Sequence, residues 1–302
     1  MSVKTWKKII TLTVIAILLI LTALTLFFGI GYFRYEKKLS TPTVVDMAEY
    51  GYQSAEDMEA FFKQLESAAM GTTLDYQAEY PDLYVDCDFD FAETEAGQKI
   101  CYLTFDDGPN REVTPQVLDI LKKYGIKATF FVIYRDGEAE KALYKRIVEE
   151  SHTLAVHTAS HNYNKIYASV EAYLADFQKV SAQVESVTGV KPEIFRFPGG
   201  SVNVYNKSIY KQLIAEMTRR GYVYYDWNSS SGDASGAGVS VSDIVSDSLS
   251  TGQYDKKILL CHDGPGHQNT AKALPDIIEG LMEQGYSFAA LDNSVAPVCF
   301  GY

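Results

Sequence analysis

Seven short apolar runs set the architecture of this chain. They lie at 100–105, 128–133, 153–157, 194–197, 222–227, 257–262 and 287–291. Each is too short for a helix and long enough for a buried strand. Helical patterns separate them. The clearest is an i, i+3, i+4 stripe through Val170, Tyr173, Leu174, Phe177, Val180, Val184 and Val187. Gly125, Gly189 and Gly285 stand where C-cap glycines end such helices. Strands alternating with helices imply parallel βα units with right-handed crossovers, as an open sheet or a barrel. With 302 residues, 47% of them hydrophobic, the chain is long enough to bury a large core.

The N-terminal region has a different character. Residues 9–33 contain no charge, a run long enough to span a bilayer core with some tilt. Its exit is bulky (Phe27, Phe28, Tyr32, Phe33) and lacks a small-x-small cleavage pattern. We read an uncleaved signal-anchor and a membrane partner through 9–33. Lysines 4, 7 and 8 on one side nearly balance Arg34, Lys37 and Lys38 on the other, so charge alone does not orient it. The stretch 39–97 reads as a polar, acidic stalk, with Ser54 and Asp57 resembling a capping box. The expected domains are a tail and anchor at 1–38, a stalk at 39–97 and an α/β domain at 98–297. The net charge is −12 although residues 1–38 are basic, so the body is strongly acidic. An acidic body argues against nucleic acid as a partner. Cys87, Cys101, Cys261 and Cys299 show no C-x-x-C spacing, which disfavours a thiolate zinc site.

The chemistry gathers where the strands end. In α/β folds that edge carries the reactive groups. Here it carries Thr104-Phe105-Asp106-Asp107-Gly108-Pro109, then His157-Thr158-Ala159-Ser160-His161, then Arg196-Phe197-Pro198-Gly199-Gly200, then Leu260-Cys261-His262-Asp263. Two imidazoles and a carboxylate make a three-ligand set with open positions, the pattern of a catalytic metal. Adjacent strand residues point to opposite faces, so Asp106 and Asp107 share a cavity only if a turn brings them together. Two carboxylates beside a dication can divide the work, one ligating and one acting as base.

These four motifs, in this order across about 99–293, resemble those of the polysaccharide deacetylases, also called the NodB homology family or carbohydrate esterase family four. The resemblance implies a distorted (β/α)7-type barrel behind the transmembrane helix and stalk. It implies removal of acetyl groups from N-acetylglucosamine polymers, with peptidoglycan or a chitin-like glycan of the cell wall as partner. Asp107, His157 and His161 resemble the metal triad, with Zn2+ as the expected ion and Co2+, Mn2+ or Ni2+ as other candidates. Asp106 resembles the catalytic base and Arg196 the residue that holds it. His262 resembles the general acid, and Asp233 the aspartate that orients it. Leu260 resembles the apolar wall of an acetyl-methyl pocket. Gly199 stands where the family often has Tyr, a position that supplies a backbone N–H to the oxyanion. Ala234 replaces an aromatic residue often found after the fourth motif's aspartate, and Trp227 nearby is a candidate substitute in the sugar groove.

The implied reaction is hydrolysis of an acetamide outside the cell, by a single-pass protein with its lysine-bearing tail in the cytoplasm. Asp106 would take a proton from water and His262 would give one to the leaving amine. An O-acetyl esterase of the xylan type would use the same site. A catalytically silent wall-binding module would need no proton donor. A two-carboxylate glycosidase would not need the histidine pair, and a serine hydrolase lacks its G-x-S-x-G elbow. His152 reads as a solvent-facing helix end, His267 as a loop residue and Asp263 as local support. Cys261 should point away from the cavity.

Overall fold

A computed structural model describes residues 54–70, 74–92, 94–95, 97–250 and 254–300. The apolar run 9–33 and the tail before it lie outside them. Among the described residues no helix is long and apolar enough to cross a membrane.

The seven apolar runs form strands, and an eighth joins them. The strands are β1 (Lys99–Asp106), β2 (Thr129–Ile133), β3 (Thr153–Thr158), β4 (Ile194–Phe195), β5 (Val223–Tyr224), β6 (Ser229–Ser230), β7 (Lys256–His262) and β8 (Tyr286–Ala289). All pair in parallel, in the order β5-β4-β3-β2-β1-β7-β6, with β8 also on β1. β7 pairs along most of β1, at 100–106. The other edge of β1 is shared: β8 takes 99–102 and β2 takes 104–106. β2 is buried throughout, as expected for a parallel strand covered on both faces.

The expected barrel is an open, curled sheet. β5 and β6 stand at opposite ends of the strand order, yet only residues 225–228 connect them. Such a link reaches at most about 18 Å. Seven flat strands would set the edges roughly 29 Å apart. The sheet therefore has to curl until its edges nearly meet. Four residues are also too few for a crossover between parallel neighbours, and among the described residues β5 and β6 do not pair.

The helices are α1 (Ala55–Met70), α2 (Thr114–Tyr124), α3 (Glu138–Glu149), α4 (Tyr163–Ile166), α5 (Val170–Thr188), α6 (Tyr210–Arg219), α7 (Val241–Ser250) and α8 (Gln268–Glu283). Gly125 and Gly189 end α2 and α5 at φ 67 and 74, the left-handed conformation that glycine adopts without strain. The apolar stripe of α5 faces the core from Val170 to Val184.

Two boundaries differ from the sequence reading. Residues 54–92 are not a free stalk. Ser54 caps α1 by accepting from the Asp57 amide (3.0 Å), and α1 packs beside α6. Met58, Phe62, Leu83, Val85, Phe89 and Phe91 belong to the same core as the strands. Buried Arg220 ties this segment down by donating to the carbonyls of Tyr76, Glu79, Tyr80 and Leu83. The domain also runs past 297, since Val298, Cys299 and Phe300 are buried. The Phe300 amide donates to Asp226 Oδ2 (2.7 Å) and its ring meets Trp227 edge-on.

Candidate active site

β3, β1 and β7 lie within four consecutive strands, with β2 between β3 and β1, and their C-terminal residues converge. Asp107 follows β1 at φ 70, a left-handed conformation that breaks strand alternation. Asp106 and Asp107 therefore reach one cavity. His161 closes the turn after β3 at φ 47 and comes back over His157. The i, i+4 spacing works here through a turn, not a helix. Asp107 Oδ1 lies 3.2 Å from His161 Nε2 and 3.6 Å from His157 Nε2. It is buried and accepts no hydrogen bond.

The donor set fits a divalent cation. His157 Nδ1 is 2.8 Å from the Arg196 carbonyl, which can only accept. The proton thus sits on Nδ1 and leaves a bare lone pair on Nε2, facing Asp107. Burial lowers the His157 pKa to about 3, so the imidazole is neutral and ready to ligate. Asp176 on α5 holds the turn between the two histidines. It accepts from the Thr158 hydroxyl and from the amides of Ala159 and Ser160. Nothing in the sequence marked Asp176 beyond its place in a helix.

Asp106 and His262 flank this set. Arg196 Nη1 donates to Asp106 Oδ1 (2.9 Å) and to Thr104 Oγ1 (2.8 Å). Arg196 is fully buried, and its other donors reach the carbonyls of Tyr225 and Asp226 in the β5–β6 link. The link that curls the sheet also aims the arginine. Burial raises the Asp106 pKa, and the nearby Arg196 charge opposes that rise. A base that is more proton-hungry than an exposed aspartate results. His262 Nδ1 is 2.8 Å from Asp233 Oδ1, and Asp233 Oδ2 also accepts from the His262 amide and Thr270. Burial works to lower the His262 pKa, but Asp233, Asp106 and Asp107 outweigh it and raise it to about 9. Asp233 moves the opposite way: burial raises its pKa, and His262 and its hydrogen bonds bring it below the ordinary value.

The remaining predicted residues occupy distinct places. Leu260 is on the same face of β7 as His262 and keeps 7% exposure, where Ile258, Leu259 and Cys261 keep none. Gly199 sits at φ 74, and a Cβ there would lie 2.8 Å from the Tyr163 ring. Tyr163 fills the space that a side chain at 199 would need, and meets His161 edge-on. Trp227 is only 7% exposed and lies between Phe300 and the Arg196 guanidinium, 5.7 Å away. It backs the arginine instead of facing a groove. His152 is buried, not solvent-facing. Its Nδ1 accepts from the Ala128 amide, and burial lowers its pKa to about 4. His267 stands in the loop that leads into α8, buried beside His262. Asp263 braces the first motif, taking the Thr114 hydroxyl and donating its amide to the Asp106 carbonyl.

A curled parallel sheet whose strand ends hold an Asp–His–His set between a buried carboxylate and an aspartate-paired histidine defines a class of α/β protein with a strand-end hydrolytic centre. The chain belongs to the polysaccharide deacetylase family. The family model described as polysaccharide deacetylase matches residues 93–218. A peptidoglycan-N-acetylglucosamine deacetylase of Bacillus cereus is 32% identical over 207 residues, covering 67% of this chain and 90% of that one. A bifunctional xylanase/deacetylase of Pseudobutyrivibrio xylanivorans is 37% identical over 198 residues, 65% of this chain and 30% of that one. Among solved structures, the catalytic domain of a peptidoglycan N-acetylglucosamine deacetylase from Eubacterium rectale superposes with a TM-score of 0.64. It is 37% identical and is matched over 70% of this chain and 94% of its own.

Proposed function

We propose that this chain removes N-acetyl groups from an N-acetylglucosamine polysaccharide, cell-wall peptidoglycan, and releases acetate with the help of a divalent metal, Zn2+ first among the candidates. The observation that carries this reading is the convergence of Asp107, His157 and His161 between Asp106 on one side and His262 on the other. The relatives named as peptidoglycan deacetylases support the choice of polymer.

Asp107, His157 and His161 would hold the metal, which when bound supplies Lewis acidity toward the acetyl carbonyl and a water of lowered pKa. Asp106 accepts the proton of the attacking water, and Arg196 keeps the carboxylate aimed. The backbone N–H of Gly199 serves the oxyanion. Leu260 lines the pocket for the acetyl methyl. His262, charged through Asp233, donates its Nε2 proton to the leaving amine, which an amide needs because its nitrogen is a poor leaving group. Residues 9–33 anchor the chain in the membrane, with the domain on the wall side.

Acetate release by the purified chain from peptidoglycan, chitin oligomers and acetylxylan, with and without chelator, tests the reading. Chelator-sensitive release from peptidoglycan is expected. Release from acetylxylan alone would replace it with the O-acetyl reading, which the xylanase/deacetylase relative favours. Release that survives chelation would remove the metal.

A further inference from the structure

The hydrolytic centre uses His262 and Asp233 but leaves a third group beside them without a task. His267 stands at the start of α8 and is only 9% exposed. Its Nδ1 faces the Gly264 carbonyl at 3.3 Å, and a carbonyl only accepts. The proton belongs on Nδ1, which leaves a bare lone pair on Nε2. That atom is buried and has no hydrogen-bond partner. A buried acceptor left unsatisfied is costly, and a cation at Nε2 would satisfy it. A Cβ built on Gly236 would lie 4.0 Å from Nε2, at ordinary van der Waals separation.

The arrangement matches that of the catalytic ligands. The rings of His157 and His161 have centroids 5.3 Å apart, and those of His262 and His267 have centroids 5.1 Å apart. In each group one ligand atom per residue, the carboxylate oxygen included, lies within 4.8 Å of the other two. Two imidazoles and one carboxylate form a donor set suited to Zn2+ and similar ions.

We propose that Asp233, His262 and His267 form a second divalent-cation site, and that a cation bound there silences the proton donor. Coordination takes a nitrogen of His262 and expels its proton to solvent. His262 is then a neutral, cation-bound imidazole and no longer an acid strong enough to protonate the leaving amine. The site makes activity rise with the first equivalent of metal and fall with the second. This inhibitory consequence rests on the role of His262 proposed above, whereas cation binding at the site does not.

The test is a Zn2+ titration of the metal-free full chain, with bound metal and acetate release read on the same samples. The wild type should bind two equivalents, the second more weakly. Its acetate release should fall about 10²–10⁴-fold as the second site fills, the loss expected when a general acid is removed. His267→Phe keeps a ring against His262 but has no lone pair, and His267→Gln provides a second variant should the first fold poorly. Each should bind one equivalent and show the same acetate release with one equivalent as with excess zinc. A wild type that takes up only one equivalent would overturn the proposal, as would variants that still bind the second. Two equivalents, only the second of them dependent on His267, in a chain that releases no acetate from any polymer would uphold the site while refuting the deacetylase reading.

Discussion

Asp106 and Asp107 are neighbours with different surroundings. Asp106 is buried against Arg196, whereas the oxygen of Asp107 facing the two histidines accepts no hydrogen bond. Replacing each by Asn should separate their roles. Asp107→Asn should lose metal and turnover together. Asp106→Asn should keep stoichiometric metal and lose about 10²–10⁴-fold in acetate release, because an amide cannot take the proton of water. Equal metal loss in both variants would show that the assignment is wrong. His262 adds a pH signature. Its folded-state pKa, about 9, lies above the ordinary 6.5. A raised pKa in the folded state means that the ion pair with Asp233 stabilises the protein fully below pH 6.5. That stabilisation is lost as the pH rises through 9. Thermal unfolding of metal-free wild type and Asp233→Asn should therefore differ most near neutral or lower pH and converge by about pH 10. A gap that stays constant across that range would mean His262 is not held charged by Asp233.

Whole elements are braced for the site by groups far from it in sequence. Asp176 on α5 pins the turn between His157 and His161 through three donors. Asp176→Asn keeps the shape but replaces acceptors with a competing donor. It should weaken metal binding about 10–100-fold, the usual effect of losing a group that orients a ligand. Competition against a chelator would measure this, and an unchanged affinity would reduce Asp176 to a packing role. Arg220 plays the corresponding part for the N-terminal segment, pairing with Glu216 and capping four carbonyls between Tyr76 and Leu83. Both side chains of that pair are nearly inaccessible. Arg219 still pairs with Glu216, so Arg220→Ala strands chiefly the carbonyls and should cost about 1–3 kcal/mol. Amide exchange should rise across 74–92. Protection there equal to wild type would show that α1 alone holds the segment.

The described domain is built on a single curled sheet. The β5–β6 link turns its edges toward one another, and residues 85–92 and 295–300 pack near that seam, with Ala92 bridging Val295. The proposed wall-glycan substrate lies outside the cell, and under that proposal the domain lies outside as well. Protease added to intact protoplasts should release the domain, and a fully protected domain would exclude an extracellular location.

Much of this fold was readable in the chain because strand alternation, helix stripes and glycine caps are local. Seven of the eight strands coincide with apolar runs, and Gly125 and Gly189 end helices where expected. The chemical groups of the site were readable too, since Asp107, His157, His161 and His262 each sit at or just after a strand end. β6 was not, because Ser229–Ser230 is polar and becomes a strand only by pairing with β7. The stalk reading of 54–92 failed because Arg220 and the core that receive this segment lie about 140 residues away. His152 read as solvent-facing and Trp227 as groove-lining for the same reason: the groups packed against them, Ala128 for one and Phe300 for the other, come from distant parts of the chain. Local sequence determines which elements form and which chemical groups stand at their ends. Which of those groups share a cavity, and which backbone angles bring them there, is decided by contacts between distant segments that exist only once the sheet has curled.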